Sequence, residues 1–386
     1  MYLCGHKYRN MSKSLLFLPD ISGFTEFVQN TEVEHSHHVI SELLELIINA
    51  NILDMKVAEV EGDAVFFYRE GELPSREQLL AQAEEMFTAF YSHLKLLEQN
   101  RICPCNACSS APKLDLKIIV HVGDVEFITI QGNNKPFGKE VIEAHRIMKN
   151  SVDSKNYLLI SESGAQAFEL PVDHPSQLFD FERSEEEVDG RPFPYFWAQL
   201  DRNKLKLREF PAARFMDPQG PANLRLGVDL NISQQKLIPF VTDFGNRHLW
   251  NEGVDSYEFN QHEITRFGSE HVCIVNGKHL NVVSVTAPPE SDEVVYGELN
   301  ETIPFTDEVL VLFRLFHVSE NTSKMIVDVH FSFNSKLKKM IFLPLLKSKL
   351  GKSLKRSMEL LELALNSNAI GPKAKKPEVI PQASAS

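Results

Sequence analysis

The chain has 386 residues, 43% hydrophobic and 24% charged, which is too long for one ordinary domain and too apolar for disorder beyond its ends. Its 40 basic and 53 acidic residues leave −13 at neutral pH, the wrong sign for a protein whose main partner is nucleic acid or an anionic membrane. No 18-residue apolar run occurs, the first ten residues are polar, and three of five cysteines fall within six positions, so a soluble, unexported cytoplasmic protein with one thiol cluster is expected. Met11, just before the first apolar run, offers a second start.

Residues 15–19 read as a buried strand and 39–51 as a helix with one apolar side. Residues 56–68 read as two strands around Gly62-Asp63, 78–97 as a second helix, 116–130 as a strand pair turning at Gly123-Asp124, and 138–150 as a third helix. Strands at 157–161 and 195–200 follow, so the first half is expected to be an α+β sandwich with antiparallel pairing. Residues 203–223 are charged, then turn-rich (Phe210-Pro211, Asp217-Pro218), and read as a linker between domains at 12–202 and 224–368. The second half opens with a strand at 224–230 and a helix at 233–244. Strand-like runs follow at 258–266, 271–275, 280–287, 294–301, 309–318 and 324–333, then a long helix at 337–366 interrupted near Pro344. Residues 369–386 have too little apolar surface to fold.

Two aspartates stand out. Asp20 closes an apolar strand in Leu18-Pro19-Asp20-Ile21-Ser22-Gly23, and Asp63 sits at a glycine turn in Glu61-Gly62-Asp63-Ala64. A carboxylate at a strand end beside glycine can hold a hard divalent ion where backbone approaches a phosphate; the plainer reading is a turn-forming Asp bonded to local N–H groups. Cys103, Cys105 and Cys108 are spaced to wrap one Zn²⁺, which wants a fourth ligand: His93, His121 or a cysteine of a partner chain. Free thiols in a surface loop are the alternative. The run His35, His37, His38 reads as a solvated helix face rather than a metal site, and Cys4 and Cys273 as isolated thiols.

The motifs Asp20-Ile21-Ser22-Gly23-Phe24-Thr25, Gly62-Asp63-Ala64, Lys117 to Gly123 through His121, and Phe137-Gly138 to Arg146 resemble, in order, those of the class III nucleotidyl cyclase catalytic domain (adenylyl and guanylyl cyclases). The resemblance spans about half the chain. It implies a ferredoxin-like sandwich that dimerises, two Mg²⁺ or Mn²⁺ ions on Asp20, Asp63 and the Ile21 carbonyl, a purine nucleotide, and Arg146 as the catalytic group facing the phosphates. It implies base reading by Glu59, the guanylyl type, and Lys135, with Arg191 the stand-in for the late phosphate-binding lysine. The position of the family's ribose-contacting Asn is Ile142, which donates no hydrogen bond. A nucleotide-binding, catalytically altered domain is therefore expected ahead of an active cyclase.

Residues 224–366 resemble the START-like helix-grip superfamily, which includes polyketide cyclases and lipid-transfer proteins. The likeness rests on element order and on the segment Phe240 to Asn251 around Trp250. It implies a curved antiparallel sheet around a long C-terminal helix, holding a lipid or small hydrophobic molecule. Trp250, His248, Tyr257 and Glu298 are the candidate pocket residues, with His262 and His279 as further polar anchors, although most of the aromatics read as core. The lysines of the last helix (Lys336, Lys338, Lys339, Lys347, Lys349, Lys352, Lys355) read as a solvated face sooner than as a lipid contact. In this reading the protein is a sensing or signalling unit; a carrier with the first domain as dimerisation scaffold is the remaining alternative.

Overall fold

The computed structural model describes residues 12–31, 33–170, 178–188, 190–259, 265–275 and 277–366. Cys4, His262, Asp189 and the tail from 369 onward lie outside the described residues. The chain divides between Ala212 and Ala213 into two compact units, each mixed or mainly β with helices added.

The first unit runs β1 Ser12–Ser22, α1 Phe24–Gln29, α2 Val33–Asn49, β2 Lys56–Glu61, β3 Ala64–Glu70, α3 Arg76–Asn100, α4 Asn106–Ser110, β4 Asp115–Ile130, β5 Asn133–Phe137, α5 Lys139–Ile147, β6 Tyr157–Ser161, α6 Glu162–Ala167, β7 Glu182–Val188 and β8 Arg191–Gln199. The strand order is β2-β3-β1-β4-β6-β8-β7, with β5 hairpinned onto β4. Pairing is antiparallel except between β4 and β6. Both faces of the sheet are covered, which is why β1 reads as an unbroken apolar run. Leu16, Leu18, Phe66, Tyr68 and Ile119 form one core with Ala144 and Ile147 of α5. Their alternating neighbours Leu15, Phe17, Val65, Phe67, Ile118 and Val120 are equally buried on the other face.

Three expectations are corrected here. Residues 116–130 are one continuous strand, β4; the hairpin turn lies at Gln131-Gly132, both at positive φ. Gly123 is a glycine because the Glu140 carboxylate lies where a Cβ would stand. β7 was hidden by its acidic sequence, which an edge strand tolerates because one margin and much of its surface face water. Helix α2 begins before residue 39 and includes the histidine run.

The second unit contains β9 Leu224–Leu230, α7 Gln234–Thr242, a 3-10 turn Phe244–Leu249, β10 Ser256–Glu258, β11 Glu270–Val275, β12 Lys278–Val285, β13 Glu293–Asn300, β14 Glu308–Ser319, β15 Thr322–Ser332 and α8 Lys336–Asn366. The sheet is wholly antiparallel in the order β10-β11-β12-β13-β14-β15-β9. Helix α8 runs through Pro344 without the expected interruption; the backbone group that Pro344 leaves unpaired is near exposed Met340 and open to water. Its buried side chains are Leu354, Ser357, Met358 and Leu361, so burial lies in the second half of the helix, where Gly351 faces Leu224 of β9 and Ser357 accepts from Glu252 N–H. The stretch expected as a linker is tethered at both ends. Arg208 N–H donates to Ser92 and Pro211 accepts from Asn100, while Met216 N–H donates to Thr286.

Candidate functional site

Asp20 and Asp63 are brought together by β1 and the β2–β3 turn. Asp20 pairs across the sheet with Ala64 and with Lys117, and Ile21 N–H donates to the Asp63 carbonyl at 2.9 Å. Gly62, at φ 63°, makes the turn that returns Asp63 to the strand end. Asp20 is buried, and Lys117 Nζ stands 3.3 Å from its carboxylate while also donating to the Met148 carbonyl. Burial raises the Asp20 carboxyl above its usual range against the pull of Lys117; Asp63 is raised by burial first and by the charge of Asp20 second. Two partly desolvated carboxylates that repel each other favour a cation between them, and carboxylate oxygens are the hard donors that Mg²⁺ or Mn²⁺ takes.

The other expected residues surround this pair unevenly. Arg146 lies exposed on α5, one turn beyond Ile142, which is 51% exposed. Glu59 and Lys135 lie 3.6 Å apart as an ion pair, so each base-reading position has the other as a partner. Arg191 is exposed at the start of β8. Sequence reasoning missed Glu140 and Ser161, the partners through which His121 seats α5. Glu140 accepts from His121 at 2.8 Å, His121 also contacts Ser161 at 2.9 Å, and the His121 bond holds the Glu140 carboxyl below its usual range. His121 and Gly123 thus work together: one anchors Glu140 and the other makes room for it.

The thiol cluster draws its nearest histidine from an unexpected place. His35 of α2 puts Nδ1 3.2 Å from Cys105 Sγ and 3.5 Å from Cys108 Sγ. His121 is committed to Glu140, and His93 lies beside Glu42 at 3.2 Å, so neither expected histidine reaches the cysteines. The solvated-face reading holds for exposed His37 but not for His35. The signal lay in the one-turn spacing of Ser36 and Val39, both buried, which carries the inner face of α2 back into the histidine run.

In the second unit, the fully buried Arg247 ion-pairs with Glu298 and lies over the rings of Trp250 at 4.7 Å, Phe313 at 5.2 Å and Tyr296 at 5.8 Å. Tyr296 donates to Glu298 at 2.9 Å, and Tyr257 accepts from Asn251 at 2.7 Å. His271 stacks on Phe244 and is held by burial near pKa 4, hence neutral. His248 is exposed and bonded within its own turn to Gly245, apart from this cluster, because the 3-10 turn points consecutive side chains to different sides. His279 is likewise an exposed residue of β12, 4.0 Å from Glu258. Arg247 Nε and His271 Nδ1 are buried without a hydrogen-bond partner among the described residues.

Comparisons with known proteins add little function. A family model described as a protein of unknown function (DUF2652) matches residues 40–157. An uncharacterized protein of Mycobacterium tuberculosis, Rv2561/Rv2562, is 30% identical over 133 residues, which are 34% of this chain and 62% of that protein. The chain thus spans less than two thirds of this relative. The catalytic core of a rhodopsin-guanylyl cyclase, solved with ATPαS, is similar at 17% identity and TM-score 0.37, covering 49% of this chain and 97% of its own. A START superfamily protein from Mycobacterium smegmatis is similar at 14% identity and TM-score 0.28, covering 37% of this chain and 97% of its own. At these TM-scores any functional reading rests on side-chain geometry. No helix of the described residues is long and apolar enough to cross a membrane.

Proposed function

We propose that the first unit binds divalent metal and a purine nucleotide on Asp20, Asp63 and the Ile21 carbonyl, as a catalytically altered, cyclase-like dimerisation domain. The observation that carries this is the pair of adjacent, partly desolvated carboxylates with raised pKa. Metal there would neutralise both carboxylates and draw triphosphate oxygens to the strand ends, with Arg146 and Arg191 supplying positive charge. Exposed Ile142 offers no donor to a ribose oxygen, and the Glu59–Lys135 pair must open before either residue reads a base. Both features argue for slow or absent cyclisation. A second copy is proposed to cover exposed Val57 and Val60 on edge strand β2 and Ile130 and Phe137 on the β4–β5 hairpin.

The second unit is proposed to take an amphipathic molecule, its polar end at the orphaned Arg247 Nε and His271 Nδ1. Ligand capture there would bias the dimer of the first unit. The test is thermal denaturation with Mn²⁺ and GTP or ATP beside an Asp63→Ala control, with cyclic product sought by mass spectrometry. Stabilisation that needs Asp63, with little or no product, is the expected result. Product that vanishes in the control would establish an active cyclase, the second reading, which the intact aspartate pair favours. No shift with either nucleotide would leave a dimerisation scaffold serving a hydrophobe carrier.

A further inference from the structure

We propose that His35, Cys103, Cys105 and Cys108 form a closed, structural zinc site that fastens the start of α2 to the loop entering β4. The ligand atoms of all four residues lie within 4.8 Å of one another. Tetrahedral zinc with Zn–S bonds of about 2.3 Å places its ligand atoms about 3.8 Å apart, so one ion fits with small side-chain rotations. All three cysteines are free thiols and all three are buried, although they belong to an irregular loop and a five-residue helix where burial is otherwise hard to sustain. Backbone N–H groups already point at the sulfurs: Cys105 N–H donates to Cys103 Sγ and Cys108 N–H to Cys105 Sγ. Such bonds stabilise thiolate charge, and a set of three sulfurs and one imidazole nitrogen selects zinc over magnesium, manganese or calcium. Four protein ligands leave no open position, so the ion would hold structure rather than activate water.

Its place in the chain gives the ion a purpose. Helix α2 is reached from Asp20 through α1, and β4 carries Lys117, the partner of Asp20, a few residues beyond Cys108. Zinc would therefore clamp together the two segments that leave the carboxylate pair. The proposal stands independently of nucleotide binding.

The test is metal analysis of the full chain purified without chelator, which is expected to hold about one zinc per chain. Cobalt substituted for zinc should show thiolate-to-cobalt charge transfer and tetrahedral d–d bands. His35→Ala and Cys105→Ser should each weaken zinc retention against a chelator at least tenfold, and His35→Cys should restore it. Because these variants can fail to fold, alkylation of the wild-type chain is mapped as well. Zinc should shield Cys103, Cys105 and Cys108, and chelator should expose them together. A folded wild-type chain without zinc, a disulfide among the three cysteines, or a cobalt spectrum without thiolate bands would overturn the proposal.

Discussion

In the first unit two carboxylates of like sign, Asp20 and Asp63, converge at strand ends with Lys117 beside one of them. In the second, across β13, β14, β15 and β9, Arg314 meets Glu293, Glu290 at 3.2 Å and Asp328 at 3.1 Å, while Arg225 makes a two-pronged contact with Asp328 at 2.7 and 2.8 Å. Both places take charge out of water. In the second, the two buried carboxylates, Glu293 and Asp328, are matched by Arg314 and Arg225, with Glu290 largely exposed to water, beside a cavity of about 390 Å³ lined by Arg225, Arg314, Asp328 and His330. The first sets two carboxylates against the single cation Lys117 among the described residues. Charge that is buried and matched holds a sheet together; charge that is buried and unmatched marks where something from outside belongs.

The contrast can be broken most severely at Arg314. Arg314→Ala leaves Glu293 buried without its arginine and Asp328 with Arg225 alone, and should cost about 3–5 kcal/mol in chemical denaturation. Removing a carboxylate from the first unit should act the other way. Metal-free Asp63→Asn should be more heat-stable than wild type at neutral pH, because it ends the repulsion with Asp20. The sign of the pH dependence follows. Carboxylates whose folded pKa is raised destabilise the fold above that pKa, and the penalty disappears as pH falls toward their ordinary value of 3.8. The advantage of Asp63→Asn should therefore shrink on acidification. With Mn²⁺ at about a hundred times its Kd the ranking should invert, wild type gaining about 2.7 kcal/mol and the variant almost none.

Ile142→Asn places a donor where the resemblance to cyclases expects one. If the aspartate pair supports chemistry, cyclic product measured by mass spectrometry should rise about a hundredfold. Gly123→Ala drives a methyl group into Glu140 and should loosen the His121 bond, at about 1 kcal/mol of stability with β4 intact. The smallest effect is expected at Glu59 and Lys135. Their exposed pair contributes less than about 1 kcal/mol, so Glu59→Ala should leave the melting temperature nearly unchanged and alter GTP-against-ATP preference alone.

Each aspartate, the strand bearing His121 and the helix bearing Arg146 were legible in the chain because a short local motif carries each one, Asp20 at the end of β1 and Asp63 in the β2–β3 turn. What was not legible depends on residues far apart. Gly123-Asp124 looks like a turn, and only the side chain of Glu140, seventeen positions later, shows why glycine sits in an unbroken strand. The partner of the cysteines lies about seventy positions before them, on a helix whose start was masked by polar residues. Arg247 was passed over in favour of its neighbours His248 and Trp250, since a lone arginine in a polar turn gives no sign that two aromatic strands will enclose it. Pro344 signals a break, but a proline on an exposed stretch of helix has water to compensate it.

The hydrogen bond from Ile21 N–H to the Asp63 carbonyl sets the spacing of the two aspartates through the backbone, before any ion arrives. Ion capture then requires no loop to order itself, and its thermodynamics should be those of exchanging hydration water for fixed oxygens. Titration calorimetry of Mn²⁺ should accordingly show binding driven by entropy from released water, with a heat-capacity change close to zero. Association should be limited by how fast the ion sheds its own shell, and not by any motion of the chain.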